Sequence, residues 1–340
     1  MIESNAEALE EIIDPKNREF SQFDNKLRPC SFAEYIGQEV IKENLKIAIS
    51  AAKKRKEPLD HVLLHGPAGL GKTTLAGIIA KELGVNMKIT SGPALEKQGD
   101  IASIISNLNE NDILFIDEIH RLKPSVEEIL YSAMEDFGID IVIGKGPTAR
   151  SMRLNLPRFT LIGATTKVSM LSSPLRDRFG STFRLQFYDE GNIKQIVLRS
   201  AKILGSKISD EAAKILARSS RQTPRIANRL LKRARDYADI KNKSLIDETT
   251  LNGTMESLGI DKVGLDHMDR EILLTIMKQF NGGPVGLGTL SAAMSEEEAT
   301  VEDIYEPFLI QLGFLERTAR GRTATDRAYN HLSVRKTKQK

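Results

Sequence analysis

Three stretches of the chain are apolar on both alternations of a strand: "HVLLHG" from His61, "ILFIDE" from Ile113 and "FTLIGATT" from Phe159. A strand with one solvated face alternates, so these read as strands covered on both faces, as in a parallel sheet. Amphipathic stretches separate them, and an α/β layout is predicted from Leu27 to about Tyr188. From Gly191 to about Leu258 the period becomes helical. Ile193, Ile196, Val197, Ala201 and Leu204 fall on one face, as do Ile226, Leu230, Ala234 and Tyr237 further on. Past "SLGIDKVGL", helices resume in "DREILLTIMKQF", "GTLSAAM" and "VEDIYEPFLIQLGFLERT". A different period interrupts the α/β region between Phe137 and Pro157. Ile139, Ile141 and Ile143 alternate on one side of "GKGP", and Met152, Leu154 and Leu156 answer on the other, which predicts an inserted β-hairpin over 138–157. Such a hairpin either packs on its own core or protrudes with an apolar patch that calls for a partner.

Length agrees with this division, since 340 residues exceed what one core usually organises. Four segments are expected: a polar N-terminal arm over 1–25, an α/β domain over 26–189, a small helical domain over 190–260 and a C-terminal domain over 261–340. No apolar run approaches the roughly 20 residues of a membrane span, and the acidic start has no signal-peptide form, so a cytoplasmic protein is expected. Cys30 is the single cysteine and the five histidines lack ligand spacing, which leaves no disulfide or zinc site in view. The net charge of +3 is small but unevenly spread. Basic residues crowd Arg317 to Lys340 around one acid, Asp326, just after the acidic "SEEEATVEDIYE". A basic tail of this kind is more often a solvated end than a binding site.

"GPAGLGKT", Gly66 to Thr73, follows one buried strand and opens an amphipathic helix running to Leu83 and ending at Gly84. That is the full context of a phosphate-binding P-loop. Gly66, Gly69 and Gly71 let backbone N–H groups turn inward on phosphates, and the helix N-terminus, with Thr74 in its first turn, adds favourable potential. Lys72 would reach the β and γ phosphates of ATP or ADP, and the Thr73 hydroxyl would hold Mg2+. In "ILFIDEIHR" a buried strand delivers Asp117 and Glu118 to its C-terminal end. Asp117 would serve the Mg2+ shell and Glu118 would orient the attacking water. Thr166, at the end of "LIGATT", could sense the γ-phosphate or simply turn the chain.

Together with "SPLRDRFG" and "QTPRIANRLLKR", these motifs resemble the AAA+ ATPases. With "LRPCSFAEYIGQ" and the final "GFLERTARGRTATDRAY", the chain resembles more narrowly the RuvB family, over nearly everything from Leu27 to His331. The resemblance implies a P-loop AAA+ domain with a parallel sheet, a helical lid and a C-terminal winged-helix domain, assembled as a homo-hexamer. It implies that Arg178 reaches the neighbouring subunit's γ-phosphate as an arginine finger, with Arg176 the alternative finger; on a purely structural reading either one pairs with Asp177 or Asp189. It further implies that Arg225 contacts the γ-phosphate from the lid, that Leu27, Arg28 and Tyr188 flank adenine and ribose, and that the backbone of Glu135, Asp136 and Phe137 lies near the nucleotide. On the same basis the hairpin of Ile139, Ile141 and Ile143 meets the junction-binding partner RuvA, and the RuvC resolvase joins the assembly. "ERTARGRTATDRAY" has the look of a wing, in which Arg317, Arg320 and Arg322 would face DNA phosphates. The chain departs from the family pattern at Ala319, where proline is usual; no charge is lost.

The implied activity is ATP hydrolysis coupled, helicase-fashion, to translocation of double-stranded DNA at Holliday junctions. Two rivals share many of these features. A clamp-loader-like ATPase has the fold and the trans arginine but is disfavoured by the winged helix and hairpin. A nucleotide-gated DNA-binding regulator does not need Glu118 and Arg178.

Overall fold

The computed structural model describes residues 26–143 and 150–335. The expected arm over 1–25, the "GKGP" turn and the terminal lysines lie outside the described residues, as do the side chains of Ile141 and Ile143. The chain divides into two units, Met1–Tyr188 and Asp189–Lys340.

The first unit is built on β1 (Val62–His65), β2 (Met87–Ser91), β3 (Ile113–Asp117), a separate pair β4 (Gly138–Ile143) and β5 (Arg150–Asn155), β6 (Thr160–Thr165) and β7 (Ser181–Arg184). Five of these form a parallel sheet in the order β2-β3-β6-β1-β7. The strands read as doubly covered are the central ones: β6 is buried throughout, and β3 up to Asp117. On one face Leu63, Leu114, Ile116 and Leu161 meet Ile101 and Ile105 of the helix Gln98–Ser106 and Val126 and Leu130 of the helix Pro124–Glu135. The helix Lys72–Leu83, whose ends are set by left-handed Gly71 and Gly84, buries Leu75, Ala76, Ile78 and Ile79. It packs against β3, β6 and the helix Glu39–Arg55.

The hairpin is present, with β4 and β5 antiparallel and Ile139 opposite Leu154. Its root does not protrude. Ile139 is 1% exposed and belongs to the domain core, with Leu156 buried and Leu154 packed beside it. The expectation of a partner surface at Ile139 is therefore corrected: that side chain is already covered. Met152 is 50% exposed.

The second unit begins with the helices Glu190–Ile203, Asp210–Arg218, Pro224–Ile240 and Glu248–Ser257, joined by a two-stranded parallel pair, β8 (Lys207–Ile208) and β9 (Leu245–Ile246). Next come His267–Gln279, Leu287–Met294 and a helical stretch from Glu298 through a π-turn at Val301–Tyr305 to Gln311. The antiparallel β10 (Leu315–Thr318) and β11 (Gly321–Ala324) follow, then the helix Asp326–His331. Val285 adds a third short rung by bridging Arg322. Three helices and this ribbon enclose Leu273, Ile276, Leu290, Phe308, Phe314 and Leu315. Gly321 needs its φ of +134° and its lack of a side chain, because a Cβ there would meet the Val285 carbonyl at 2.3 Å. No helix among the described residues is long and apolar enough to cross a membrane.

Candidate nucleotide site and interface arginine

In a parallel sheet the carboxyl ends of the strands and the following turns form one rim. β1 hands over to Gly66, β3 ends in Asp117 and β6 ends in Thr165 and exposed Thr166, with the Gly66 N–H donating to the Thr165 carbonyl at 3.2 Å. Gly66, Gly69 and Gly71 all have positive φ, and a Cβ on Gly66 would strike the Leu185 carbonyl at 2.6 Å. Behind the loop stand two tyrosines that sequence reasoning did not connect. Tyr35 and Tyr188 each donate a hydroxyl to the Leu70 carbonyl, at 3.4 and 3.2 Å. Burial raises both phenols above their usual range, so both remain protonated donors. The P-loop thus rests on a floor that includes Tyr188, while Leu27 is buried and Arg28 exposed.

Lys72 is 8% exposed and its ammonium donates to the carbonyls of Gly66 and Pro67 at 2.7 and 2.9 Å. Burial lowers its pKa to about 8, only partly offset by the charge of Asp117. His65, on the same rim, is lowered by burial and then by the charges of Arg184 and Lys72. A desolvated cation in a positive field at a helix N-terminus fits a phosphate group. Thr73 Oγ1 donates to Asp117 Oδ2 at 3.5 Å. Two oxygens of this kind fit Mg2+, which keeps most of its shell for water and phosphate. Among the described residues no cluster of three or more His, Cys, Asp or Glu offers a fuller metal cage. Glu118 has left-handed backbone (φ 48°), and its carboxylate accepts from Arg121 at 3.1 Å in an exposed pair. His120 Nδ1 lies 2.9 Å from Thr165 Oγ1, tying the acidic segment to β6.

Arg178 belongs to the opposite rim. It precedes β7, whose first residue pairs with Val62 at the start of β1, while Gly66 follows the end of β1. Four strand residues separate the two rims, about 13 Å at 3.3 Å per residue. The Arg178 guanidinium donates to Glu135 at 3.0 Å and to the Pro174 carbonyl at 2.8 Å, and so pairs with neither Asp177 nor Asp189. Arg176 is exposed and reaches Ser173 at 3.5 Å. Glu135, Asp136 and Phe137 lie on the same rim as Arg178. Phe137 packs within 6.5 Å of His61 and 6.1 Å of Phe159, which precede β1 and β6, and Asp136 accepts from Arg153. A strand length lies between these three residues and the chain's own Lys72.

Family models match the chain almost end to end: the Holliday junction DNA helicase RuvB P-loop domain over residues 27–185, the RuvB AAA lid domain over 188–261 and the RuvB C-terminal winged helix domain over 262–333. The chain belongs to the RuvB family. It is 60% identical over 314 residues to the Holliday junction branch migration complex subunit RuvB of Dehalococcoides mccartyi (strain CBDB1), covering 92% of this chain and 90% of that one. With the protein of the same description from Fusobacterium nucleatum subsp. nucleatum the identity is 56% over 310 residues, 91% of this chain and 93% of the other. The solved Thermotoga maritima RuvB Holliday junction branch migration motor superposes with a TM-score of 0.84 at 50% identity, over 91% of this chain and 99% of that one. The AAA+ P-loop domain, lid and winged helix of the RuvB family are the architecture of this chain.

In the second unit Arg225 is exposed in the first turn of the helix Pro224–Ile240. On the wing, Arg317 and Arg320 are exposed, and Arg317 pairs with Glu302 at 2.9 Å. Arg322 is not available to DNA. Its side chain is 8% exposed and makes a two-pronged ion pair with Glu306, itself 2% exposed, with the second prong at 3.2 Å. The assignment of Arg322 to phosphate contact is corrected for that reason. Its partner comes from the acidic stretch that precedes the wing.

Proposed function

We propose that this chain is the ATP-hydrolysing subunit of a hexameric ring that translocates double-stranded DNA and so drives branch migration of Holliday junctions in recombination and DNA repair. Its RuvB relatives carry branch migration in their descriptions. Lys72 and the inward N–H groups of Gly66–Thr74 hold the phosphates, and Leu27, Arg28 and the wall backed by Tyr188 hold the base and ribose. Thr73 and Asp117 would carry Mg2+, which neutralises phosphate charge when bound. Glu118 orients the water; its pair with Arg121 is exposed and readily exchanged. Thr166 and, from the lid, Arg225 read the γ-phosphate. The hairpin docks the ring on RuvA, RuvC joins the junction complex, and the assembly works in the cytoplasm.

The observation that carries this reading is the strand length between Arg178 and the chain's own Lys72. A guanidinium on the far rim has a phosphate to meet only on a second copy, where it would stabilise transition-state charge. Mixed rings test this directly. Lys72→Ala and Arg178→Ala subunits, each inactive alone, are expected to regain ATP turnover when mixed, at interfaces where an intact P-loop meets an intact Arg178. Verified mixed rings with no regain would remove the trans role.

A further inference from the structure

Arg178 is seated by more than its ion pair. The guanidinium carbon lies 4.7 Å from the centroid of the Tyr131 ring, and Tyr131 and Glu135 sit one turn apart on the helix Pro124–Glu135. Ring and carboxylate are therefore neighbouring walls of one seat. The ring is itself fastened. The Tyr131 hydroxyl donates to Glu127 Oε2 at 2.8 Å, and the Ser172 hydroxyl donates to the same oxygen at 2.6 Å, with the two hydroxyl oxygens 2.9 Å apart. Glu127 is 7% exposed, so this carboxylate is committed to the triangle rather than to water. Ser172 also caps the helix Ser173–Asp177, accepting from the Leu175 N–H at 3.3 Å, and Arg178 closes that helix. The triangle Glu127–Tyr131–Ser172 thus joins the helix ending at Glu135 to the helix ending at Arg178.

We propose that Tyr131 is a positioning residue for Arg178, its ring face fixing the plane and direction of the guanidinium while Glu127 and Ser172 lock the ring. The proposal rests on the reading of Arg178 as the arginine that serves a neighbouring subunit's nucleotide. The two walls have different tasks. Glu135 is half exposed and forms a single ion pair, a weak contact that a phosphate of higher charge displaces. Tyr131 carries no charge to compete with phosphate, and the stacked guanidinium keeps its edge N–H groups free to donate. The seat also stands on the segment leaving the chain's own acidic pair, since the helix begins at Pro124, shortly after Asp117, Glu118 and Arg121.

Steady-state ATP hydrolysis by the full-length ring, in a cycle of wild type, Tyr131→Leu, Arg178→Ala and the double variant, tests this. Tyr131→Leu is expected to lower kcat about tenfold, the rate equivalent of one cation–π contact, with KM for ATP unchanged. Tyr131→Phe, which keeps the ring face, is expected to recover most of that loss. In the Arg178→Ala background Tyr131→Leu should cost nothing further, because a residue acting through another has no second effect. Wild-type kcat in Arg178→Ala would defeat the reading of Arg178 and the proposal with it. A low kcat in Arg178→Ala beside a wild-type kcat in Tyr131→Leu would overturn the Tyr131 proposal alone. So would an equal loss from Tyr131→Leu in both backgrounds. Should Tyr131→Leu fail to fold by circular dichroism, Glu127→Gln in the same cycle carries the same expectations, with the ring kept and its lock weakened.

Discussion

Lys72 is a cation held where water has been largely removed, and its pKa of about 8 records that cost. In the unfolded chain a lysine titrates near 10.4. The unfolded state therefore binds the extra proton between these values, and the folded state gains relative stability as pH rises through that window. Phosphate reverses the shift, because an anion beside the ammonium favours its charged form. Binding thus takes up a proton once the solution pH exceeds about 8. Affinity for an ATP analogue is expected to be flat below pH 8 and to weaken by up to about tenfold per unit above it. Calorimetry in buffers of different ionisation enthalpy should show the proton uptake. Lys72→Arg, charged throughout, should flatten the profile. An affinity unchanged from pH 7 to 9.5 in wild type would mean that the Lys72 ammonium is not lowered to about 8 in the free protein.

At the scale of elements, the hairpin shows what a two-residue period can and cannot specify. Alternation of Ile139, Ile141 and Ile143 identifies an apolar face, but not the body that covers it. At the root that body is the hairpin's own domain: Ile139 is in the core with Leu156, while Met152 is open. Ile139→Glu is accordingly expected to destabilise the ATPase domain severely, through a buried unpaired charge. Met152→Glu should fold and hydrolyse ATP normally and lose capture by RuvA in co-sedimentation. Normal capture of the Met152→Glu protein would place the RuvA surface elsewhere. The central strands and the P-loop were legible because their chemistry is local: an apolar run, then glycines, lysine and threonine in fixed spacing. Asp117, Glu118 and Thr166 were legible as strand ends for the same reason. Tyr35 and Tyr188, more than a hundred residues apart, meet only through tertiary packing, at the Leu70 carbonyl. Glu127 and Ser172 likewise meet through tertiary packing, although an acid between Val126 and Leu130 on an apolar helix face is a signal of a buried polar partner. Which end of the sheet Glu135, Asp136 and Phe137 reach was not legible, because it is set by the helix Pro124–Glu135 that carries the chain back from Asp117.

At the scale of the whole molecule, the P-loop and the acidic pair lie in the first unit and the wing in the second, so the two can be perturbed separately. The look of a wing nominated Arg317, Arg320 and Arg322 together, whereas the fold sorts them. Arg317 and Arg320 are exposed, and the pair of Arg317 with Glu302 is screened by the same salt that competes at DNA. Arg322 anchors β11 to Glu306 from inside. Removing one member of such a buried pair costs roughly 3–5 kcal/mol, so Arg322→Ala is expected to lower the melting temperature of the second unit rather than to report on DNA. Arg317→Ala with Arg320→Ala is the informative change. Each lost phosphate contact on B-form DNA removes about 0.9 from the slope of log affinity against log salt. The double variant should therefore flatten that slope, weaken binding equally on two unrelated duplexes, and keep its DNA-independent ATP turnover while losing the DNA-stimulated increment. Loss confined to one duplex sequence would indicate base reading and favour a regulator over a motor. An unchanged slope on both, in a protein that melts normally, would mean that the DNA path does not run along the wing.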